Sequence, residues 1–147
     1  MPATDHRAII QRYCDIFEQG DLDAIDEIVA PAVIDHGAYE GQQAGIEGYR
    51  EFFKLWKTAF PDRKLKLEMT ISQGDLVAYR WTGTGTHLGP YHEHPPSGRP
   101  VRFTAISISR IRDGKIVEDW IELDNLSLLR QIGALGEEVV QVVVSSL

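Results

Sequence analysis

The stretch from Pro95 to Gly133 restricts the possible folds more than any other part of the chain. Pro95-Pro96-Ser97-Gly98-Arg99-Pro100-Val101 reads as a turn, and an alternating strand follows to Arg112. Asp113-Gly114 is a strong two-residue hairpin signal, because glycine accepts the positive φ such a turn requires. The return strand ends in carboxylates, and Leu128 to Gly133 reads as a short helix closed by glycine. This arrangement carries acids to the rim of a curved sheet, where a helix can close over them.

Upstream, the periodicity is helical. Thr4 or Asp5 is placed to cap a first helix that ends before Gly20, with Ile9, Tyr13, Ile16 and Phe17 on one face. Asp21 caps a short second helix through Val29, stopped by Pro31, and Ala32 to His36 reads as a short strand. From Ile46 to Phe60 an apolar stripe of Ile46, Tyr49, Phe53, Trp56 and Phe60 predicts a third helix. Leu65, Leu67, Met69 and Ile71 alternate with polar residues as a half-buried strand, and Val77 to His87 forms the next. Matching Val77, Tyr79 and Trp81 to Ile71, Met69 and Leu67 calls for an odd loop such as Gln73-Gly74-Asp75. In the last hairpin, pairing Arg112 with Lys115 puts Ser107, Ser109, Glu118 and Trp120 on one face. Ile106, Ile108, Asp119 and Ile121 then share the other, unless a bulge intervenes.

Helices followed by a long sheet define an α+β fold: a cone-shaped, curved antiparallel sheet packed on N-terminal helices. At 147 residues, one domain is expected, with a core over about 5–135 and a tail over 136–147. The β-branched run 139–144 is expected to pair or pack. The net charge of −7 argues against nucleic acid, whose binding needs phosphate neutralisation, and no polybasic or membrane-spanning stretch is present. Cys14 has no partner for an intrachain disulfide, and the N-terminal segment lacks the apolar core of a signal peptide, so a cytoplasmic location is expected. Apolar residues on both sheet faces suggest a homodimer through the open face.

Asp35-His36-Gly37, Phe60-Pro61-Asp62, Gly74-Asp75-Leu76-Val77, Gly85-Thr86-His87-Leu88-Gly89, Pro95-Pro96-Ser97-Gly98, Trp120, Asp124 and Gln131-Ile132-Gly133 occur in order across nearly the whole chain. Together they resemble the SnoaL-like polyketide cyclase family, within the nuclear-transport-factor-two-like superfamily that also holds ketosteroid isomerase and limonene epoxide hydrolase. The resemblance implies an alpha-beta barrel around a ligand cavity. It also implies cofactor-independent ring closure through acid–base enolate chemistry on an apolar carbonyl compound. The founding cyclases' acid/base pair falls at about Ile121 and Ser107 here, and neither carries the required group. Asp124 and His36 match other acids and motifs common in the wider family.

Asp124 is therefore the first candidate catalytic acid, provided apolar neighbours such as Trp120 and Phe103 raise its pKa. It also has the residue type and position to cap the helix that follows, which would lower its pKa. His36 is the candidate partner, or else a strand-end histidine satisfied by backbone. Tyr13, Phe17, Trp56, Phe60, Trp81, His87, Phe103 and Trp120 are the candidate ligand-binding walls, and the same aromatics serve equally as core. No metal site or cofactor is expected, because His92 and His94 lie in a Pro-rich loop with nothing to fix ligand geometry. Two other functions stay open: a non-catalytic small-molecule binder, and a hydrolase of the limonene epoxide hydrolase type using Arg110 with Asp119.

Overall fold

The computed structural model describes residues 5–136 and 138. Helix α1 (His6–Gln19) starts at Asp5, whose carboxylate accepts from the Ala8 N–H, and stops at Gly20. Asp21 caps a 3₁₀ segment, Leu22–Glu27, in place of the expected second α-helix, so the chain enters strand β1 (Val29–Asp35) earlier than predicted. Helix α2 (Ile46–Ala59) follows, then β2 (Lys64–Gln73), β3 (Leu76–Thr86), β4 (Pro100–Arg112), β5 (Lys115–Leu123) and α3 (Asn125–Gln131). The run 139–144 lies outside the described residues.

The five strands form one curved, unclosed sheet in the order β1-β5-β4-β3-β2. Three pairings are antiparallel, as expected, while β1 runs parallel to β5. Helices α1 and α2 fill the concave side. Trp56, Phe53, Phe60 and Phe103 are essentially inaccessible to solvent there. Gly83 leaves the space that the Phe103 ring occupies, since a Cβ at that position would overlap the ring. The buried Arg63 guanidinium donates to the carbonyls of Phe17 and Phe60, tying together the C-terminal ends of α1 and α2.

Two bulges decide which side chains face inward. The β2–β3 turn is a two-residue loop, with Gln73 opposite Leu76, rather than the odd loop expected. That register turns Met69 and Ile71 outward, and both are exposed. An extra residue at Glu68 then restores the expected match of Leu67 with Trp81. At the second hairpin Arg112 pairs with Lys115 as expected, with Asp113 and Gly114 both at positive φ. One extra residue at Val117 shifts everything beyond it: Arg110 faces Glu118, Ser109 faces Asp119 and Ser107 faces Ile121. One step of register exchanges the faces. Asp119 and Ile121 therefore join Ser107 and Ser109 on the concave side, and Glu118 and Trp120 go to the outer face.

Candidate active site

The concave wall of β4 and β5 carries a buried polar cluster within an otherwise aromatic core. Asp119, 6% exposed, accepts from the Ser109 hydroxyl at 2.7 Å and from the Tyr49 phenol at 3.0 Å. Tyr79 and Ser109 share a hydrogen bond of 3.1 Å, and the Trp81 indole N–H donates to the Ser107 hydroxyl at 3.3 Å. Asp35 is the strand neighbour of Asp119 in the parallel pairing and faces the same way. Its carboxylate is held by the Gly37 N–H and the Gln42 amide.

Burial dominates the electrostatics. It pushes the Asp119 carboxyl up to about 7; the Asp35 charge adds to the rise, while the Ser109 and Tyr49 hydrogen bonds oppose it. Burial also drives the phenols of Tyr13, Tyr49 and Tyr79 well above the ordinary tyrosine range, so they act as neutral donors. A carboxyl near neutrality surrounded by fixed donors is equipped to take and return a proton at physiological pH. Free space in the core is small: the slot bounded by Tyr13, Cys14, Phe17, Phe52, Leu65 and Trp81 encloses about 10 Å³, room for roughly one water, and Asp119 is not among its walls.

The sequence candidates divide between three places. Tyr13, Phe17, Trp56, Phe60, Trp81 and Phe103 meet in the core, where Trp56 packs against Phe103 with centroids 4.9 Å apart. His87 is fully buried behind Phe60, its Nδ1 accepting from the Ser97 N–H at 3.0 Å, and burial lowers its pKa. Trp120, expected on the inner wall, lies on the outer face because of the Val117 bulge. His36 stacks on it at 4.8 Å and meets Glu118 at 2.8 Å. Asp124 caps α3, accepting from the Ser127 N–H at 3.1 Å, and is exposed. His36 and Asp124 are thus on the opposite side of the sheet from the buried cluster. Arg110 pairs with Glu118 at 3.1 Å and Asp75 at 2.8 Å instead of Asp119, so the Arg–Asp grouping required for epoxide opening does not form. Cys14 is a buried thiol pushed up to about 12, which makes it a poor nucleophile.

The sequence names Asp119 only as a partner for Arg110, and not as a buried acid, because its face depends on one inserted residue. A signal existed in the apolar parity: Ile116 is even-numbered, whereas Ile121 and Leu123 are odd, and one strand can bury both sets only through a bulge. Among the described residues no group of three His, Cys, Asp or Glu side chains is placed to hold a metal ion, and no helix is long and apolar enough to cross a membrane.

The sequence profile of the SnoaL-like polyketide cyclases matches residues 7–132. The chain belongs to the SnoaL-like polyketide cyclase family. Solved relatives of this SnoaL-like chain share its architecture. TsrD from Streptomyces laurentii is 29% identical with a TM-score of 0.84, over 92% of this chain and 99% of TsrD. IdmH from Streptomyces antibioticus is 32% identical with a TM-score of 0.75, over 86% and 97% of the two chains. A SnoaL-like polyketide cyclase from Agrobacterium tumefaciens is 25% identical with a TM-score of 0.70, over 85% and 95%. No curated protein matches the chain.

Proposed function

We propose that this SnoaL-like protein is a cofactor-independent cyclase or isomerase whose proton-transfer group is Asp119. The observation carrying this reading is a single buried carboxyl, raised to about 7, held between the Tyr49 and Ser109 hydroxyls. Its carboxylate form removes a proton from the carbon beside a carbonyl, and a neutral tyrosine phenol donates a hydrogen bond to the enolate oxygen. The enolate carbon then attacks a second carbonyl, whose resulting alkoxide takes the proton from Asp119, or the enolate is itself reprotonated by Asp119 at another carbon. The substrate is a compact apolar carbonyl compound, since the walls around the carboxyl are aromatic. It enters at the corner between α1, α2 and β2, where Tyr13, Phe52 and Leu65 are only partly buried and a shift of these side chains widens the slot.

A non-catalytic binding role is the second reading, favoured by Ser107 and Ile121 at the positions of the founding cyclases' acid/base pair and by the tightness of the slot. Deuterium exchange separates the two. In D2O, an enolisable benzo-fused cyclic ketone such as 2-tetralone should lose its α-protons faster with protein present, and Asp119→Asn should reduce that enhancement by about 10²- to 10⁴-fold. Tyr49→Phe removes a bond that favours the charged carboxyl, so the pH midpoint of exchange should move upward. Ketone binding seen as chemical-shift changes without exchange would leave the binder; exchange unaffected by Asp119→Asn would discard the assignment of the residue.

The outer sheet face is proposed as the homodimer surface. Ile34, Met69, Ile71, Ile106 and Ile108 are exposed along it, and Leu76, Ile106, Ile108 and Trp120 line a largely apolar trough of about 530 Å³. An Ile106→Glu/Ile108→Glu variant should sediment at half the native mass. A wild-type chain that already sediments as a monomer at micromolar concentration would refute this.

A further inference from the structure

On the outer side of the sheet, where α3 folds back over β4, three arginines line one pocket. We infer that they form a binding site for an anionic group, a phosphate or a carboxylate, of a ligand separate from any compound handled at Asp119. Arg80 from β3, Arg102 from β4 and Arg130 from α3 line a pocket of about 400 Å³, together with Thr104, Ser127 and one acid, Asp124.

Three features make this more than a run of surface charge. Arg12, Arg50, Arg110 and Arg112 each have a carboxylate partner, but Arg80, Arg102 and Arg130 form no ion pair among the described residues. In a chain of net charge −7, three arginines lining one pocket with a single acid are a local positive excess. Asp124 offsets one of the three charges but pairs with none of them: its carboxylate caps α3, accepting from the Ser127 N–H at 3.1 Å. Glu68, whose charge is felt by Arg80, is held by the Thr82 hydroxyl at 2.9 Å, and Glu122 borders Arg80 without reaching ion-pair distance.

The second feature is the Arg130 Nε, which is buried with no hydrogen-bond partner. A buried donor on a cation is costly to leave unmade, and an anion in the pocket supplies its acceptor. The third is a fixed frame. The Gln131 side chain accepts from the Arg102 N–H and donates to the Arg102 carbonyl, both at 2.7 Å, so the α3 and β4 walls hold their spacing. The Ser127 hydroxyl accepts from Gln131 at 3.2 Å and retains its own proton to donate. Guanidinium forks, a hydroxyl and a clamped wall are the elements of oxyanion recognition. Neither Asp119 nor its hydrogen-bond partners line the pocket, so the anion it holds recruits or regulates and takes no part in the proton transfer.

The test titrates the full chain with inorganic phosphate and, separately, with succinate, at constant ionic strength set with sodium chloride, following backbone amide shifts. Saturable changes confined to residues 80, 102–104 and 124–131 are expected, and the tighter of the two probes identifies the head group. Arg102→Gln and Arg130→Gln should each weaken binding about tenfold or more. Arg102 is exposed, so that variant remains informative if Arg130→Gln compromises folding. Shifts that never saturate, or that are unchanged in both variants, would overturn the site. So would arginine variants that convert a dimer to monomers without phosphate or succinate ever binding, since the arginines would then serve assembly.

Discussion

Asp119→Asn is expected to erase a pH dependence of stability worth about 4 kcal/mol between pH 4 and 8. The carboxyl sits at the ordinary 3.8 in the unfolded chain and at about 7 in the folded one, because burial penalises its charge. A raised native pKa means that the folded state holds its proton more tightly. The carboxyl is neutral in both states below pH 3.8, and the native state carries no penalty there. As pH climbs from 3.8 to about 7 the unfolded chain ionises freely while the native carboxyl resists, and stability falls. Asp62, Glu68, Asp75 and Glu118 have lowered pKa values and act in the opposite sense, losing stability as pH falls. Those groups are common to both proteins, so the difference between wild type and variant isolates Asp119. Urea melts at pH 4, 5.5, 7 and 8 measure it. Parallel curves for the two proteins would show that the carboxyl ionises without penalty, and the proton-transfer role would lose its basis.

Trp56→Ala should destabilise the protein by about 3–5 kcal/mol and lower its Tm by about 10 °C or more. Trp56 is 1% exposed and packs against Phe17, Phe60, Tyr91 and Phe103 with ring centroids between 4.9 and 5.9 Å. Removing the indole takes away both its transfer free energy and the contacts of its neighbours, which are themselves wedged and cannot collapse fully. The hole left is apolar and dry, so benzene should raise the Tm of the variant but not of wild type. A loss below about 1 kcal/mol would mean the cone was already hollow at Trp56. That result would favour a large pre-formed ligand cavity over a slot that opens on binding.

The element order, the caps at Asp5, Asp21 and Asp124, and the Asp113-Gly114 hairpin were all legible from local chemistry. Each depends on residues within one turn of each other. The aromatic core was legible too, because Tyr49, Phe53, Trp56 and Phe60 recur at helical spacing whatever they pack against. The parallel docking of β1 on β5 was not, since nothing local in Val29–Asp35 names a partner strand. Neither was the fate of His36 and Trp120, which meet each other on the outer face rather than a ligand on the inner one.

The sequence alone therefore determined the family, most of the helices and strands, and the helical share of the aromatic core, though not the 3₁₀ segment before β1 or the outward turn of Met69, Ile71 and Trp120. Tertiary structure alone decided which acid is buried. Side chains alternate along a strand, so the inserted Val117 exchanged Trp120 for Asp119 on the concave wall, and periodicity on one strand cannot announce a register that two strands settle together.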